Sequence, residues 1–459
     1  MARSSDPHAA RQAAAAVVER LRTAGHIAYF AGGCVRDALL GLHPTDYDVA
    51  TDATPPRVRA IFQRTQEVGA AFGVVLVTVA PDNRRGLPTS LSEPAPTDQR
   101  VTVEVATFRA DGPYTDARRP DSVVFSDPQS DAARRDFTVN ALFIDPPRTG
   151  LTATGDNLVS DADGVPLGNV IDYVGGIADL KGRVLRAVGD PDRRLAEDHL
   201  RALRAVRFAS RLGFAIDPAT RDAIKRHAAA LRGVSRERIG DELRRMLAHP
   251  TRAAAVRLLQ SLQLDGPVLE DRHLDAPTVL LEAVQAPCPT PGGELGFPLA
   301  AWLVDRFRAH HPDELWPAPA AADQTVKRAR SALCLSNDES HATRQILHIC
   351  NAISQTWKTL GVASRKRLAH MDLFPAAMVI VAATDAVFGR GVETEVQALA
   401  LDGIGLGPEP LVSGDDLVAA GHTPSPRFKR VLDQVYDAQL EGHIRDKNGG
   451  LELARQLGV

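Results

Sequence analysis

Two aspartates one residue apart, Asp46 and Asp48 in "DYDVAT", follow closely on the glycine pair Gly32 and Gly33 of "AGGCVRDALLG". Side chains alternate between the faces of a strand, so an extended "DYDVAT" sets both carboxylates on one face and Tyr47 on the other. Two acids in one small volume repel, which raises the pKa of one of them unless a cation lies between them. Hard oxygen donors so placed suit Mg²⁺. The same pair also reads as two solvated carboxylates at a strand end. Gly32 and Gly33 fall between a strand signal and a helix signal, where small residues let backbone amides approach an anion and a helix start favours negative charge. A triphosphate fits that description. Arg36 would face the same space, with Asp37 orienting a neighbouring basic group. Glu104 interrupts the apolar run "VTVEVATFR", where an unpaired carboxylate is costly. It reads either as a third acid of a metal site or as the partner of Arg109 in a salt bridge.

These side chains need a framework. "HIAYFAGG" and "DYDVAT" carry strand signals, "VRDALLGL" and "PPRVRAIFQRT" helix signals, and the β-branched runs "FGVVLVTVA" and "VTVEVATFR" predict adjacent strands. Between those two strands, "PDNRRGLPTSLSEPAPTDQR" predicts an extended hairpin connection. From about residue 192 the texture turns helical, as in "RRLAEDHLRALRAVRFASRLG". The expected class is therefore α+β: a mixed α/β head behind an N-terminal helix (residues 1–25), then an all-helical remainder. Breaks at "QAPCPTPGGELGFP" and "DGIGLGPEPLVSGDD" divide the helical part, and no fixed-period repeat points to a solenoid.

Composition narrows the class. With 459 residues and 44% hydrophobic residues, the chain can bury a large core. No run approaches the roughly 18 apolar residues of a membrane span, so the expectation is a cytoplasmic protein with no membrane partner. Cys34, Cys288, Cys334 and Cys350 lie far apart, with neither disulfide-framework nor zinc spacing. The net charge of −3 conceals a basic stretch, since residues 181–245 hold 17 Lys and Arg against 9 Asp and Glu, a local +8. Such a stretch is either a polyanion footprint or a set of solvated helix faces. In "EDHLRALRAVRF", Asp198, Arg201, Arg204 and Arg207 recur every three residues. They form a drifting stripe on one side of a helix whose other side carries Leu200, Leu203 and Val206.

Five stretches in order, "GGCVRDALLG", "DYDVATDATP", "DGPYTDARRPDSVVF", "RRDFTVNALFID" and "EDHLRALRAVRFASRLGF", resemble the class II tRNA nucleotidyltransferase and bacterial poly(A) polymerase family of the polymerase β superfamily. The motifs cover residues 26 to about 245, and weaker similarity continues to "SGDDLVAAGHTPSPRFKRVLDQVYDAQLEG". The resemblance implies a polymerase β-like nucleotidyltransferase head (26–190), a helical neck that reads the base and binds RNA (191–250), a helical body (251–360) and a tRNA-binding tail (361–459). It implies addition of CCA to the 3′ end of tRNA from CTP and ATP without a template, or, as the alternative, poly(A), CC- or A-only addition. The implied chemistry is attack of the RNA 3′-hydroxyl on the α-phosphorus with release of pyrophosphate, and the implied cofactor is two Mg²⁺ on the catalytic Asp46 and Asp48. By the same resemblance Gly32, Gly33 and Arg36 contact the triphosphate, Arg135 the nucleotide, and Arg134, Asp136 and Asn140 phosphate, ribose or a loop. Asp198 and Arg201 pair with the edge of the incoming base, and Arg204 and Arg207 hold phosphate or lock that pair. In "ARRDFTVNAL" a capped helix start, with Asp136 as cap and Phe137 and Leu142 in the core, reads equally well. "DGPYTDARRPDSVVFSDPQS" resembles the family's flexible loop. Some relatives carry a His-Asp phosphohydrolase domain after the neck; this chain has no HD doublet, and no second activity is expected. Oligomeric state is not legible.

Overall fold

The computed structural model describes residues 7–68, 73–79, 100–112, 122–148 and 157–458. The expected connection at 81–100 lies almost wholly outside the described residues, as does much of the loop sought between 111 and 130. The chain forms two compact units, Met1–Val234 and Ser235–Val459. Among the described residues no single helix is long and apolar enough to cross a membrane.

In chain order the first unit holds α1 (Pro7–Thr23), β1 (Ala28–Ala31), α2 (Gly33–Leu39), β2 (Asp48–Thr51), α3 (Pro55–Ile61), β3 (Thr65–Glu67), β4 (Val74–Val79), β5 (Val101–Thr107), β6 (Arg109–Asp111) and β7 (Val123–Phe125). It continues with α4 (Pro128–Arg134), a 3₁₀ turn (Thr138–Asn140), β8 (Phe143–Asp145), β9 (Leu158–Ser160), β10 (Pro166–Ile171), α5 (Gly176–Gly182), β11 (Val184–Leu185), α6 (Pro191–Glu197), α7 (Arg201–Leu212), β12 (Ala215–Ile216) and α8 (Pro218–His227). Eight strands form one mixed sheet in the order β3-β4-β5-β2-β1-β8-β10-β9. β4 and β5 pair antiparallel, as their sequences predict, whereas β2 and β5 run parallel.

Alternation in β5 decides which face does what. Val101, Val103, Val105 and Thr107 are buried while Thr102, Glu104 and Ala106 are half-buried. Helix α1 packs against β1, β2, β4 and β5 with a face of Ala10, Ala13, Ala14, Val17, Val18 and Leu21, all buried at helical spacing. Part of the core gathers small residues, Ala31, Ala50 and Ala141, around Phe108 and Phe143. Three helices start the same way: Asp127, Asp190 and Asp217 each accept a backbone N–H three residues on, ahead of Pro128, Pro191 and Pro218 at the first helical position.

The second unit is helical throughout its described residues. It runs α9 (Arg236–Leu247), α10 (Arg252–Ser261), α11 (Asp265–Leu269), α12 (Val279–Ala283), α13 (Gly296–His310), α14 (Pro319–Leu333), α15 (Asn337–Thr356), α16 (Val362–Ala369), α17 (Phe374–Thr384), α18 (Ala386–Ala400), α19 (Gly414–Ala419), α20 (Arg427–Leu440) and α21 (Lys447–Gln456). The two Pro/Gly breaks fall between α12 and α13 and between α18 and α19. Helices α9 and α14 approach so closely that a methyl group on Gly240 would lie 2.1 Å from the Leu333 carbonyl oxygen. Buried Lys366 on α16 donates to the Leu440 carbonyl and pairs with Asp402, which ties the last helices together.

Asp305 on α13 is buried and accepts the backbone N–H groups of Leu280 and Leu281, each at 3.0 Å, near the start of α12. Burial pushes its carboxyl up to about 6, against those two hydrogen bonds. The native state therefore holds a proton that the unfolded chain has released, and the associated stability, full below pH about 4, fades as pH rises through 6. Asp305→Asn should remove this slope: its melting temperature relative to wild type should shift in the variant's favour between pH 4.5 and 7.5. Parallel melting curves at the two pH values would sink the assignment.

Candidate active site

The glycine turn is built around one backbone angle. Gly32 has φ +73° at the start of α2, its N–H donates to the Leu142 carbonyl, and Arg36 N–H donates back to the Gly32 carbonyl. A methyl group there would sit 3.0 Å from Arg135 Nη1, so glycine serves both the left-handed angle and the close approach of a guanidinium. A Cβ on Gly33 would meet only Arg36 Nη2, at 3.8 Å. Beside it, Cys34 is buried and donates to the Ala31 carbonyl. Burial first, and the negative charge of Asp48 second, push its thiol to about 12, which favours the protonated thiol over the nucleophilic thiolate.

Tyr47 is buried with its ring edge-on to Phe30, centroids 5.4 Å apart. Asp48 is exposed and opens β2, whereas Asp46 is half-buried and precedes the strand. The parallel register Val49↔Val105 sets Asp48 beside Glu104, and both line one cleft of about 480 Å³, within the range of small-ligand sites. Asp46 is not among the lining residues. The salt bridge considered for Glu104 is not formed: Arg109 pairs instead with Asp111, Nε to Oδ1 at 3.0 Å. Among the described residues no group of three or more His, Cys, Asp or Glu side chains is placed to hold a metal ion.

Facing the acids is a wall of arginines, each held by a carboxylate or amide. Arg36 is 4% exposed and donates to Asp37 Oδ1 at 2.8 and 2.7 Å and to Asn140 Oδ1 at 2.6 Å. Asn140 donates in turn to Asp136 Oδ1, and Asp136 Oδ2 accepts Nε and Nη2 of Arg204 at 2.8 and 2.7 Å. Asp136 also accepts Phe137 N–H, but it does not cap a helix as read: Phe137 holds the cap position of the 3₁₀ turn, with no side-chain cap bond, because Asp136 is committed to Arg204 and Asn140. Phe137 and Leu142 are core residues, as read. Burial would raise the Asp136 carboxyl, but the Arg204 guanidinium outweighs it and the net displacement is downward. Arg36, Arg204 and Arg207 all lie over the Phe208 ring, at 5.2, 5.2 and 4.5 Å. Gly32, Gly33, Arg36, Arg135 and Asn140 line the cleft, joined by Asp198, Arg201 and Arg204; Arg207, one turn farther along α7, does not.

One expectation is corrected. Asp198 does not sit on the helix with its three arginines but closes α6 in an extended conformation, φ −153° and ψ 103°, and its Oδ1 accepts Leu200 N–H. The side chain's own hydrogen bond to nearby backbone competes with helix continuation, so "EDHLRALR" breaks before α7 begins at Arg201. The stripe from there on is as read, with Arg201, Arg204 and Arg207 half-buried between buried neighbours.

Sequence reasoning missed the residues that hold the wall. Asp131, 2% exposed, accepts Nε and Nη2 of Arg134 on one oxygen and Nε and Nη2 of Arg135 on the other, all within 3.1 Å. Burial raises its carboxyl and the guanidinium groups, Arg135 foremost, bring it below the usual range. Glu197 likewise binds Arg201 Nη1 at 2.7 Å. The signal was present, because residues 131 and 134–135, and 197 and 201, have the three- and four-residue spacing of helix neighbours.

A Poly A polymerase head domain model matches residues 28–186, and a model described as the probable RNA and SrmB-binding site of polymerase A matches 213–272. The CCA-adding enzyme of Lactiplantibacillus plantarum is 32% identical over 97% of this chain and 96% of its own. The chain belongs to the CCA-adding enzyme and bacterial poly(A) polymerase family. It is a nucleotidyltransferase of the α+β class, with a mixed-sheet head followed by helical domains. The CCA-adding enzyme of Levilactobacillus brevis is 30% identical over 95% of this chain and 96% of its own. In structure, the Bacillus stearothermophilus CCA-adding enzyme in complex with CTP superposes with a TM-score of 0.69, at 25% identity, over 99% of this chain and 98% of that one.

If Asp131 holds the arginine wall, Asp131→Asn should lower stability by about 3 kcal/mol, the scale for breaking a buried ion pair, read by urea denaturation. It should also cut kcat/KM for nucleotide by roughly 10- to 100-fold, the loss of one or two charged hydrogen bonds. A stability loss with unchanged nucleotide kinetics would make the clamp purely structural.

Proposed function

We propose that the cleft of the first unit adds C, C and A in turn to the 3′ end of tRNA, from CTP and ATP and without a nucleic-acid template. The observation that carries this reading is the meeting of Asp48 and Glu104 on neighbouring parallel strands with Arg36, Arg135, Arg201 and Arg204 in one cleft. Acids that gather a cation opposite guanidinium groups that gather phosphate are what nucleotidyl transfer needs, and RNA binding alone requires no such acids.

Asp46 and Asp48 would hold Mg²⁺. The donor type fits, since both are carboxylates; the described residues gather no third acid with them into one ligand set, so such an ion would take its remaining ligands from water and substrate phosphates. When bound, Mg²⁺ lowers the pKa of the RNA 3′-hydroxyl and neutralises charge on the departing pyrophosphate. The chain's own residues place the reactants. Gly32 and Gly33 leave room for phosphate oxygens at the turn, while Arg36 and Arg135, locked by Asp37, Asn140 and Asp131, present fixed positive charge to the triphosphate. Asp198 and Arg201 offer an acceptor beside several donors to the Watson–Crick edge of the incoming base, a set that cytosine and adenine both satisfy. Arg204 and Arg207 hold that pair in place through Asp136 and the Phe208 ring. No side-chain nucleophile takes part, in keeping with the raised thiol of Cys34. We assign the neck (191–250) to base reading and RNA approach, the helices beyond it to the tRNA body, and the whole to the cytoplasm.

Incubation of the protein with a tRNA transcript lacking its last three nucleotides, Mg²⁺ and single or paired nucleotides should give two C additions from CTP and one further A when ATP is added. Asp48→Asn and Asp46→Asn should each lower incorporation by about a thousandfold or more, the scale of losing a transition-state electrostatic contact, with tRNA affinity retained. Long adenosine tracts on unrelated RNA would favour a poly(A) polymerase, and an Asp48→Asn enzyme with normal incorporation would overturn the assignment.

A further inference from the structure

A second cavity, of about 360 Å³, lies wholly inside the helical unit, between the end of α11, the C-terminal half of α13 and the middle of α14. The acids at and behind its wall, Asp271 and Asp265, are already engaged. Asp265, fully buried, accepts Nη1 of Arg306 at 2.6 Å, Nδ1 of His273 at 2.6 Å and the backbone N–H of Leu274. Asp271 accepts its neighbour's N–H and lies 3.4 Å from Nη2 of Arg306. Both carboxylates contact Arg306, which forms the 4%-exposed floor of the cavity. Two more guanidinium groups, Arg272 and Arg328, line the same space. Arg272 donates to Nδ1 of His310, which leaves that ring neutral with its proton on Nε2. Arg328 forms no hydrogen bond with a described residue, and its charge acts on Asp271, which Arg306 also contacts.

The three guanidinium groups Arg272, Arg306 and Arg328 thus outnumber the two carboxylates Asp265 and Asp271 by one, an excess of donors and of positive charge. Its ligand must bring the negative charge. Part of its wall is the stacked pair Phe307 and His311, rings 4.6 Å apart and 27° from parallel, and flat rings of this kind receive a nucleobase. Arginine forks match phosphate oxygens in geometry as well as charge. The geometry points to a second ligand site in this protein, one that takes a nucleotide: a phosphate ester held by Arg272 and Arg328 with its base against the Phe307–His311 pair. The nucleotide comes either free from solution or as one residue of an RNA strand. The site shares no lining residue with the catalytic cleft and stands or falls independently of the proposed CCA addition.

The test is photocrosslinking of the full-length protein with 8-azidoadenosine monophosphate, followed by peptide mapping. The expected label falls on the peptide containing Phe307, His310 and His311, in addition to any label in the head. The double variant Arg272→Ala with Arg328→Ala should weaken that labelling about tenfold or more, with head labelling unchanged. Competition by AMP and inorganic phosphate more than by a short oligoribonucleotide identifies the free nucleotide as the source; the reverse order identifies an RNA strand. No label on that peptide at millimolar probe, or label indifferent to the double variant, overturns the site, whatever the incorporation assay gives.

Discussion

Guanidinium groups gathered at one cleft repel one another, and the first unit is arranged so that they stay gathered before any phosphate arrives. Asp131 holds Arg134 and Arg135, Asp136 holds Arg204, Asp37 holds Arg36, and Glu197 holds Arg201. Asp131 and Asp136 titrate below their ordinary range despite burial, the expected sign when cationic partners outweigh desolvation. Remove the carboxylates and the arginines would relax towards bulk water. The cleft would then meet an incoming triphosphate with mobile side chains that must be ordered at the moment of binding.

The acids and the arginines reach the same place by different routes. Asp48 and Glu104 depend on strand register, since β2 and β5 must run parallel with Val49 opposite Val105. Arg201 and Arg204 depend on where a helix begins. The two routes are joined by Asn140, which accepts from Arg36 and donates to Asp136, so that the glycine turn and α7 are linked by a short polar chain. Phe208, lying beneath three guanidinium groups, gives that chain an apolar backing that excludes water from one side.

Much of this was legible in the amino-acid sequence, and the parts that were not have identifiable physical causes. Strands such as β5 announce themselves because Val, Val and Val recur every second residue. The Gly32 turn announces itself because glycine is the residue a left-handed angle favours. Periodicity also gave the α7 stripe, but it extended that stripe one residue group too far, to Asp198, because a three-residue repeat cannot register that an aspartate bonds to backbone two residues on and stops the helix. It placed Asp46 in the strand for a similar reason: alternation predicts a shared face but not the residue at which pairing begins. Asp131 and Glu197 escaped notice because a carboxylate at helical spacing from an arginine is commonplace on solvated surfaces. Only burial distinguishes these two, and burial is a property of the assembled fold.

Fixing the base-reading groups at a helix boundary has a consequence for a reaction without a template. Asp198 is set by its bond to Leu200 N–H, and Arg201 by Glu197, the Arg194 carbonyl and the Arg134 carbonyl. Under the proposed reading, their positions are therefore set by the fold before a nucleotide enters. An acceptor and a fork of donors held in this way can match the edge of cytosine or of adenine, an amino donor beside a ring-nitrogen acceptor, with small rotations, whereas guanine and uracil present a carbonyl acceptor beside a ring N–H donor, the opposite order. Discrimination then arises from groups left unpaired in the wrong complex rather than from stronger contacts in the right one. The carboxylates that neutralise the arginine wall do double duty here, because the same anchoring that prevents mutual repulsion keeps the reading groups from adapting to the wrong base.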